Sequence, residues 1–182
     1  MVPTEAFERH VFGVVGLNDW SARDIQAWEY VPLGPNLGKS FATTVSAWLT
    51  PLAALASSRC ALPQQDPEPL PHLRVTGLAG YDIDVEVEVA GTVVSRPRYR
   101  SMYWGPSQML THMTSNGAWV RTGDLFGSGT ISGPEREQRG SLLELSWNGA
   151  EPWQAPDGRR SFLLDGDEVV LRYSAVGQYD RL

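Results

Sequence analysis

The sequence predicts an α+β fold rich in strand, with two short helices. Three observations point that way. YDIDVEVEV alternates strictly between acidic and apolar residues, as a strand with two unlike faces does. The last third of the chain (RTGDLFGSGTISG, SLLELSWNG, FLLDGDEVVLRY) alternates or runs apolar between glycine-rich turns. Helix signals occur at only two places, after Asn18-Asp19 and after Pro106.

Taken in order, Val11 to Leu17 reads as a buried first strand, and so abrupt an entry into apolar sequence suggests that something once preceded it. Asn18 or Asp19 offers a side-chain oxygen to cap a helix running to about Tyr30, which Pro32 stops. VPLGPNLG is loop by its Pro and Gly content, and ATTVSAWL reads as strand through its β-branched residues. Leu52 to Ala56 suits a helical turn. Pro63, Pro67, Pro69 and Pro71 mark Ser57 to Pro71 as a surface loop. In YDIDVEVEV, Asp82, Asp84, Glu86 and Glu88 share one face, and Ile83, Val85, Val87 and Val89 the other. A turn at Ala90-Gly91 leads to the strand TVVS, and Pro106 opens a helix ending near Asn116-Gly117. Strand and turn are expected beyond it.

A chain of 182 residues, 42% hydrophobic, suits one core and one domain spanning 1–182. A net charge of −6 and a pI near 5.0 argue against a nucleic-acid partner, which favours a basic stripe. The lone Cys60 cannot form an internal disulfide, so a reducing, cytoplasmic home is expected. The first residues lack a signal-peptide pattern, and no apolar run reaches membrane-spanning length.

Lys39 is the sole lysine beside fourteen arginines, and an ammonium is a compact, rotatable triple donor that a planar guanidinium does not imitate. Chance in an arginine-biased sequence is the plain alternative. On the expected first helix, Asp19, Arg23, Gln26 and Tyr30 fall on one stripe. That stripe is either a solvated face with one Asp-Arg pair or, given Trp20 and Trp28 beside it, one wall of a cleft. GPNLGKS has three residues between its glycines where a phosphate-binding loop needs four, so Gly38 more simply lets the backbone pass close to something. The acidic row Asp82 to Glu88 suits a solvated strand face better than a cation cage. His10, His72 and His112 form no ligand pair, no Gly-x-Ser-x-Gly elbow occurs, and Cys60 lacks activating neighbours.

NDWSARDIQAWEYVPLGPNLGKSFATTVS closely resembles the signature segment of the fumarylacetoacetate hydrolase family. SMYWGPSQMLTHMTSNGAWVRTGDLFGSGTISGPE, SLLELSWNG and FLLDGDEVV resemble later segments in the same order, most weakly from Ser57 to Leu78. The resemblance implies a mixed β-sheet roll or partly open barrel with short helices. It also implies hydrolysis of a carbon–carbon bond in a β-diketone acid, to fumarate and acetoacetate, at the end of tyrosine and phenylalanine breakdown. The family works as a homodimer with bound Mg²⁺ or Ca²⁺. Carried over by position, Asp19 is a metal-binding carboxylate, Lys39 and Thr43 belong to the cation and active-site framework, and Arg23 lines the cleft. Gln26, Tyr30 and Thr130 contact substrate, and Glu144 positions the attacking water.

In the family, the water-activating histidine, a further metal-binding aspartate and a Glu-x-Glu pair precede the NDW segment, and this sequence starts after them. Glu86-Val87-Glu88 repeats the spelling on a different strand and takes no such role. A family histidine beside His112 is replaced by Met113. The expected function is therefore a hydrolase of this class carrying about half of an active site. A catalytically silent binding or dimerisation fragment, or a related acylpyruvate hydrolase, hydratase or decarboxylase, is the alternative.

Overall fold

The computed structural model describes residues 1–177. A 3-10 turn at Thr4–Ala6 leads into α1 (Phe7–His10), β1 (Gly13–Val14), β2 (Leu17–Asp19), α2 (Arg23–Glu29), α3 (Leu37–Ser40), β3 (Thr43–Val45) and β4 (Thr50–Pro51). A second 3-10 turn, Leu52–Ser58, precedes β5 (Arg59–Cys60), β6 (Gly80–Tyr81), β7 (Ile83–Val89) and β8 (Thr92–Ser95). Then come α4 (Pro106–Thr114), α5 (Leu142–Leu145), β9 (Trp153–Ala155), β10 (Gly158–Arg160) and β11 (Val169–Ala175). The fold is mixed helix and strand. One sheet has the order β11-β7-β8, and β1–β4, β2–β3, β5–β6 and β9–β10 form two-stranded pairs. Every strand pairing among the described residues is antiparallel, and no barrel closes among them.

The period-two reading of YDIDVEVEV holds. β7 is the central strand of its sheet, and it buries Val85 and Val89. Its acidic face is not simply solvated. Arg100 reaches Asp82 at 3.3 Å, Arg98 reaches Asp84 at 3.5 Å, Arg96 reaches Glu86 at 3.2 Å, and Arg172 on β11 reaches Glu88 at 2.6 Å and Glu86 at 3.5 Å. Guanidinium groups thus take the place that a cation would need. Each exposed pair is worth only about 0–1 kcal/mol, so burial of the opposite face carries the sheet's stability.

Three apolar clusters surround this frame. Val89, Leu145, Trp153 and Ala155 join β7 to α5 and β9, and Leu55, Tyr81 and Ala175 join the 3-10 turn at Leu52–Ser58 to β6 and β11. Val2, Ala6, Phe7 and Leu110 fasten the N-terminus onto α4. Gln108, 1% exposed, accepts the Gly105 N–H at 2.9 Å and donates to Gln65 Oε1 at 2.9 Å and to the Leu73 carbonyl at 2.7 Å. One buried amide therefore caps α4 and anchors the proline-rich loop.

The helix after Pro106, the turn at Ala90-Gly91 and the strand TVVS lie where the sequence places them. Other expectations are corrected. Val11 to Leu17 is not one strand but the two short strands β1 and β2, preceded by α1. The helix expected from Asn18-Asp19 starts at Arg23, because residues 17–19 are drawn into pairing with residues 43–45. ATTVSAWL is strand only at Thr43–Val45. RTGDLFGSGTISG forms turns without strand, and SLLELSWNG forms α5, whose N-cap Ser141 accepts the Glu144 N–H at 3.3 Å. Short helices are consequently more numerous than two.

Arg160 on β10 binds Asp167 at 2.6 and 2.8 Å and also pairs with Asp157, tying the β9–β10 hairpin to the turn before β11. The Leu164 N–H, and then the Arg160 guanidinium, hold the Asp167 carboxyl below the usual aspartate range. A depressed folded pKa gives stability that is present above the unfolded value, about 3.9, and is lost as pH falls through the folded one. Thermal melts from pH 7 to pH 2 are expected to show this loss, and Asp167→Asn should be less stable at pH 7 with a shallower acid limb.

Candidate active site

The corner holding Lys39 is assembled from α2, α3 and the β2–β3 pair. Asp19 and Thr43 are register partners across β2 and β3. Trp20 braces the pair, its indole N–H donating to Thr44 Oγ1 at 2.8 Å. Lys39 sits in the single turn of α3, with Nζ 2.5 Å from Asp19 Oδ2 and donating to Ser21 Oγ at 2.8 Å. An ammonium has three donors, so one is left for a third acceptor. The Lys39 side chain is 28% exposed and that of Asp19 50% exposed, which places the pair at a surface open to a ligand.

α3 has no side-chain cap of its own. Its N-terminal amides go instead to Glu29, the last residue of α2, whose carboxylate accepts N–H groups from Asn36 at 2.7 Å, Leu37 at 3.0 Å and Gly38 at 2.5 Å. Desolvation raises the Glu29 pKa, but the bonds from Gly38, Asn36 and Leu37 outweigh it and hold the carboxyl below the usual glutamate range. Gly38 is the close approach that its spelling suggests. A Cβ there would lie 2.7 Å from the Gln26 nitrogen and 2.9 Å from its Cα, and its carbonyl accepts the Ala22 N–H at 2.9 Å.

The expected four-residue stripe is only partly realised. Arg23 and Gln26 share α2 and a 3.0 Å hydrogen bond, and Tyr30 caps the helix C-terminus in an exposed position. Asp19 lies on β2 and pairs with Lys39, so the Asp-Arg helix pair does not form. Nor do the tryptophans wall a cleft: Trp28 is 92% exposed, and Leu33, Phe41 and Trp48 also face outward.

A second group stands on α5. Glu144 Oε2 accepts from Ser132 Oγ at 2.6 Å and from Ser141 Oγ at 3.4 Å, while Ser132 Oγ also accepts the Gly140 N–H at 3.0 Å. Thr130, exposed, lies two residues before Ser132. No hydrogen bond or ion pair among the described residues joins this group to the Lys39 corner. His10, His72 and His112 are all exposed, and burial pushes the Cys60 thiol up, which leaves it a poor nucleophile.

Sequence reasoning passed over Glu29, Ser21 and Ser132, whose bonds to the α3 amides, to Lys39, and to Glu144 and Gly140 span seven or more residues. Ser141 carried a readable signal, since Ser-x-x-Glu ahead of an apolar run spells a capping box.

The family described as fumarylacetoacetate (FAA) hydrolase C-terminal matches residues 1–181, the Lys39 corner and the Glu144 group included. The chain belongs to this family. It is 50% identical over 177 residues to human fumarylacetoacetase, a match covering 93% of this chain and 42% of that protein. The rice fumarylacetoacetase is 48% identical over 177 residues (94% and 41%), and the bovine one 48% identical over 188 residues (100% and 45%). The chain thus spans about two fifths of the length of these fumarylacetoacetases.

The cation that the fumarylacetoacetate hydrolase resemblance implies does not fit the described residues alone. No group of three or more His, Cys, Asp or Glu among them is placed to hold a metal ion. Asp19 is a single carboxylate already engaged by an ammonium, and Thr43 would add one hydroxyl, whereas Ca²⁺ takes about six to eight oxygens. Lys39 has no lone pair to offer while charged, so in that state it is not a metal ligand. No helix among the described residues is long and apolar enough to cross a membrane.

Proposed function

We propose that this chain is the C-terminal part of a hydrolase that cleaves the carbon–carbon bond of a β-diketone acid, converting 4-fumarylacetoacetate to fumarate and acetoacetate. The observation that carries the reading is identity of 48–50% across nearly the whole chain with proteins named fumarylacetoacetase. The Lys39 corner supplies the matching chemistry. Water adds to the ketone carbon, the adjacent C–C bond breaks, and its electron pair leaves as an enolate that then takes a proton on carbon. The third donor of Lys39 is assigned to the enolate oxygen, where developing negative charge gains most from a held cationic donor. Glu144, held by Ser132 and Ser141, orients the water, Arg23 is the polar cleft residue of the catalytic set, and Gln26, Tyr30 and Thr130 contact substrate oxygens.

The base that takes the water's proton is assigned to polypeptide corresponding to the rest of the relatives' length. The roll architecture, a single domain over 1–182, a homodimer, a cytoplasmic location and Mg²⁺ or Ca²⁺ lying beside Asp19, Lys39 and Thr43 are parts of the same proposal. No step is routed through the cation.

The test joins this chain to the part of human fumarylacetoacetase that the match leaves out, and follows loss of diketone absorbance with Mg²⁺ or Ca²⁺ present. Turnover by the joined protein is expected. A folded joined protein without turnover overturns the reading, in favour of a silent binding fragment.

A further inference from the structure

We infer that Glu29 is the positioning residue for Lys39, acting through the backbone of α3. The inference deepens the proposed function and rests on the role assigned there to Lys39.

Three observations converge on it. The Glu29 carboxylate collects three consecutive N–H groups, those of Asn36, Leu37 and Gly38, so both its oxygens are committed to the start of the turn that carries Lys39. The last of these belongs to the residue bonded directly to Lys39. That residue is held from its other end as well, because the Gly38 carbonyl accepts the Ala22 N–H at 2.9 Å. Finally, Gly38 lies against the Gln26 backbone with no room for a Cβ, which sets the separation of α2 and α3.

Gly38 is therefore clamped to both ends of α2, by Ala22 before its first turn and by Glu29 at its last. The consequence is geometric. α2 also carries Arg23 and Gln26, so the clamp fixes the ammonium relative to these two side chains. Lys39 is on a four-residue helix, too short to hold its own shape in water. Without the Glu29 carboxylate, three amides at that helix start lose their acceptor. Nothing else among the described residues replaces it, and Nζ loses its fixed relation to Asp19 and Ser21.

Because the chain has one lysine, ¹⁵N labelling gives a single side-chain ammonium signal. The experiment compares the full chain with Glu29→Gln, Glu29→Asp and Glu29→Ala by NMR. Two quantities are read at low temperature: hydrogen exchange of the Asn36, Leu37 and Gly38 amides, and solvent exchange of the Lys39 ammonium. Glu29→Ala is expected to speed both by tenfold or more, and Glu29→Gln, with one acceptor oxygen, to fall between it and the parent. Glu29→Asp should restore part of the protection.

If the amides lose protection while the ammonium exchange is unchanged in any folded variant, Glu29 is only a helix cap and the inference is overturned. Should Glu29→Ala fail to fold, Glu29→Gln carries the same comparison. In the joined protein, Glu29→Gln is expected to lower kcat by tenfold or more with KM within twofold; equal loss through KM alone counts against it. The NMR readout needs no turnover, so an inactive joined protein would refute the proposed function and leave the clamp still measured.

Discussion

Lys39→Met is expected to lower turnover of the joined protein by about 10²–10³-fold, the usual effect of deleting one donor to a developing oxyanion. Its folding stability should change by no more than about 1 kcal/mol, because the lost ion pair with a half-exposed Asp19 is of the weak surface kind. The combination separates a chemical from a structural role. Lys39→Arg tests the ammonium itself. A guanidinium on a longer, planar head cannot occupy a point 2.5 Å from Asp19 and 2.8 Å from Ser21 while leaving its third donor where the ammonium has it. Steady-state kinetics with urea melts on the same preparations decide the matter, and full turnover by Lys39→Arg would remove the lysine from the mechanism.

Gly140→Ala should cost about 1–3 kcal/mol or more, and with it much of the activity of the joined protein. A Cβ at Gly140 would overlap the Ile131 carbonyl oxygen, lie 2.8 Å from its carbon and press on Thr130 Cγ2 at 3.0 Å. The obstacle is backbone, so no rotamer relieves it. Residues 130–132 must move, and Ser132 is the side chain whose hydroxyl accepts from the Gly140 amide and donates to Glu144. One methyl therefore disturbs both a structural bond and the orientation of a candidate catalytic carboxylate. A lowered urea midpoint with lowered kcat is the expected pair of results. An unchanged midpoint would show that the 130–132 segment yields freely.

What could be read ahead of the structure was what local pattern controls. β7 announces itself because seven residues alternate without interruption, and α4 because Pro106 and Asn116-Gly117 bracket it with start and stop chemistry. Asp19 was misplaced on a helix because capping chemistry is local, whereas its actual place depends on pairing with Thr43, twenty-four residues later. SLLELS was misread because a short apolar run suits a strand or a buried helical turn equally. The site divides along the same line. Among the candidates, Lys39 is singled out by composition, and the roles of Asp19 and Glu144 by resemblance alone. Glu29 carried no signal, since its partners are backbone amides, which have no letter in the sequence.

The pairing of β7's acids with arginines bears on how the sheet meets other chains. A three-stranded sheet has two edges, and an open edge invites a stranger's strand. Here β8 is engaged on its outer side, with the Ser95 hydroxyl donating to the Glu137 and Arg139 carbonyls and the Arg96 N–H donating to Glu137. On the other flank, Arg172 projects from β11 into the acidic row, so an added strand would have to set its side chains beside a bound guanidinium. Alternating charge across the open face also denies an incoming sheet any dry surface to stack on. If the ladder guards this edge, neutralising Arg172 is expected to shorten the lag of fibril formation before it shifts the melting temperature, and an unchanged lag would leave the ion pairs with no such role.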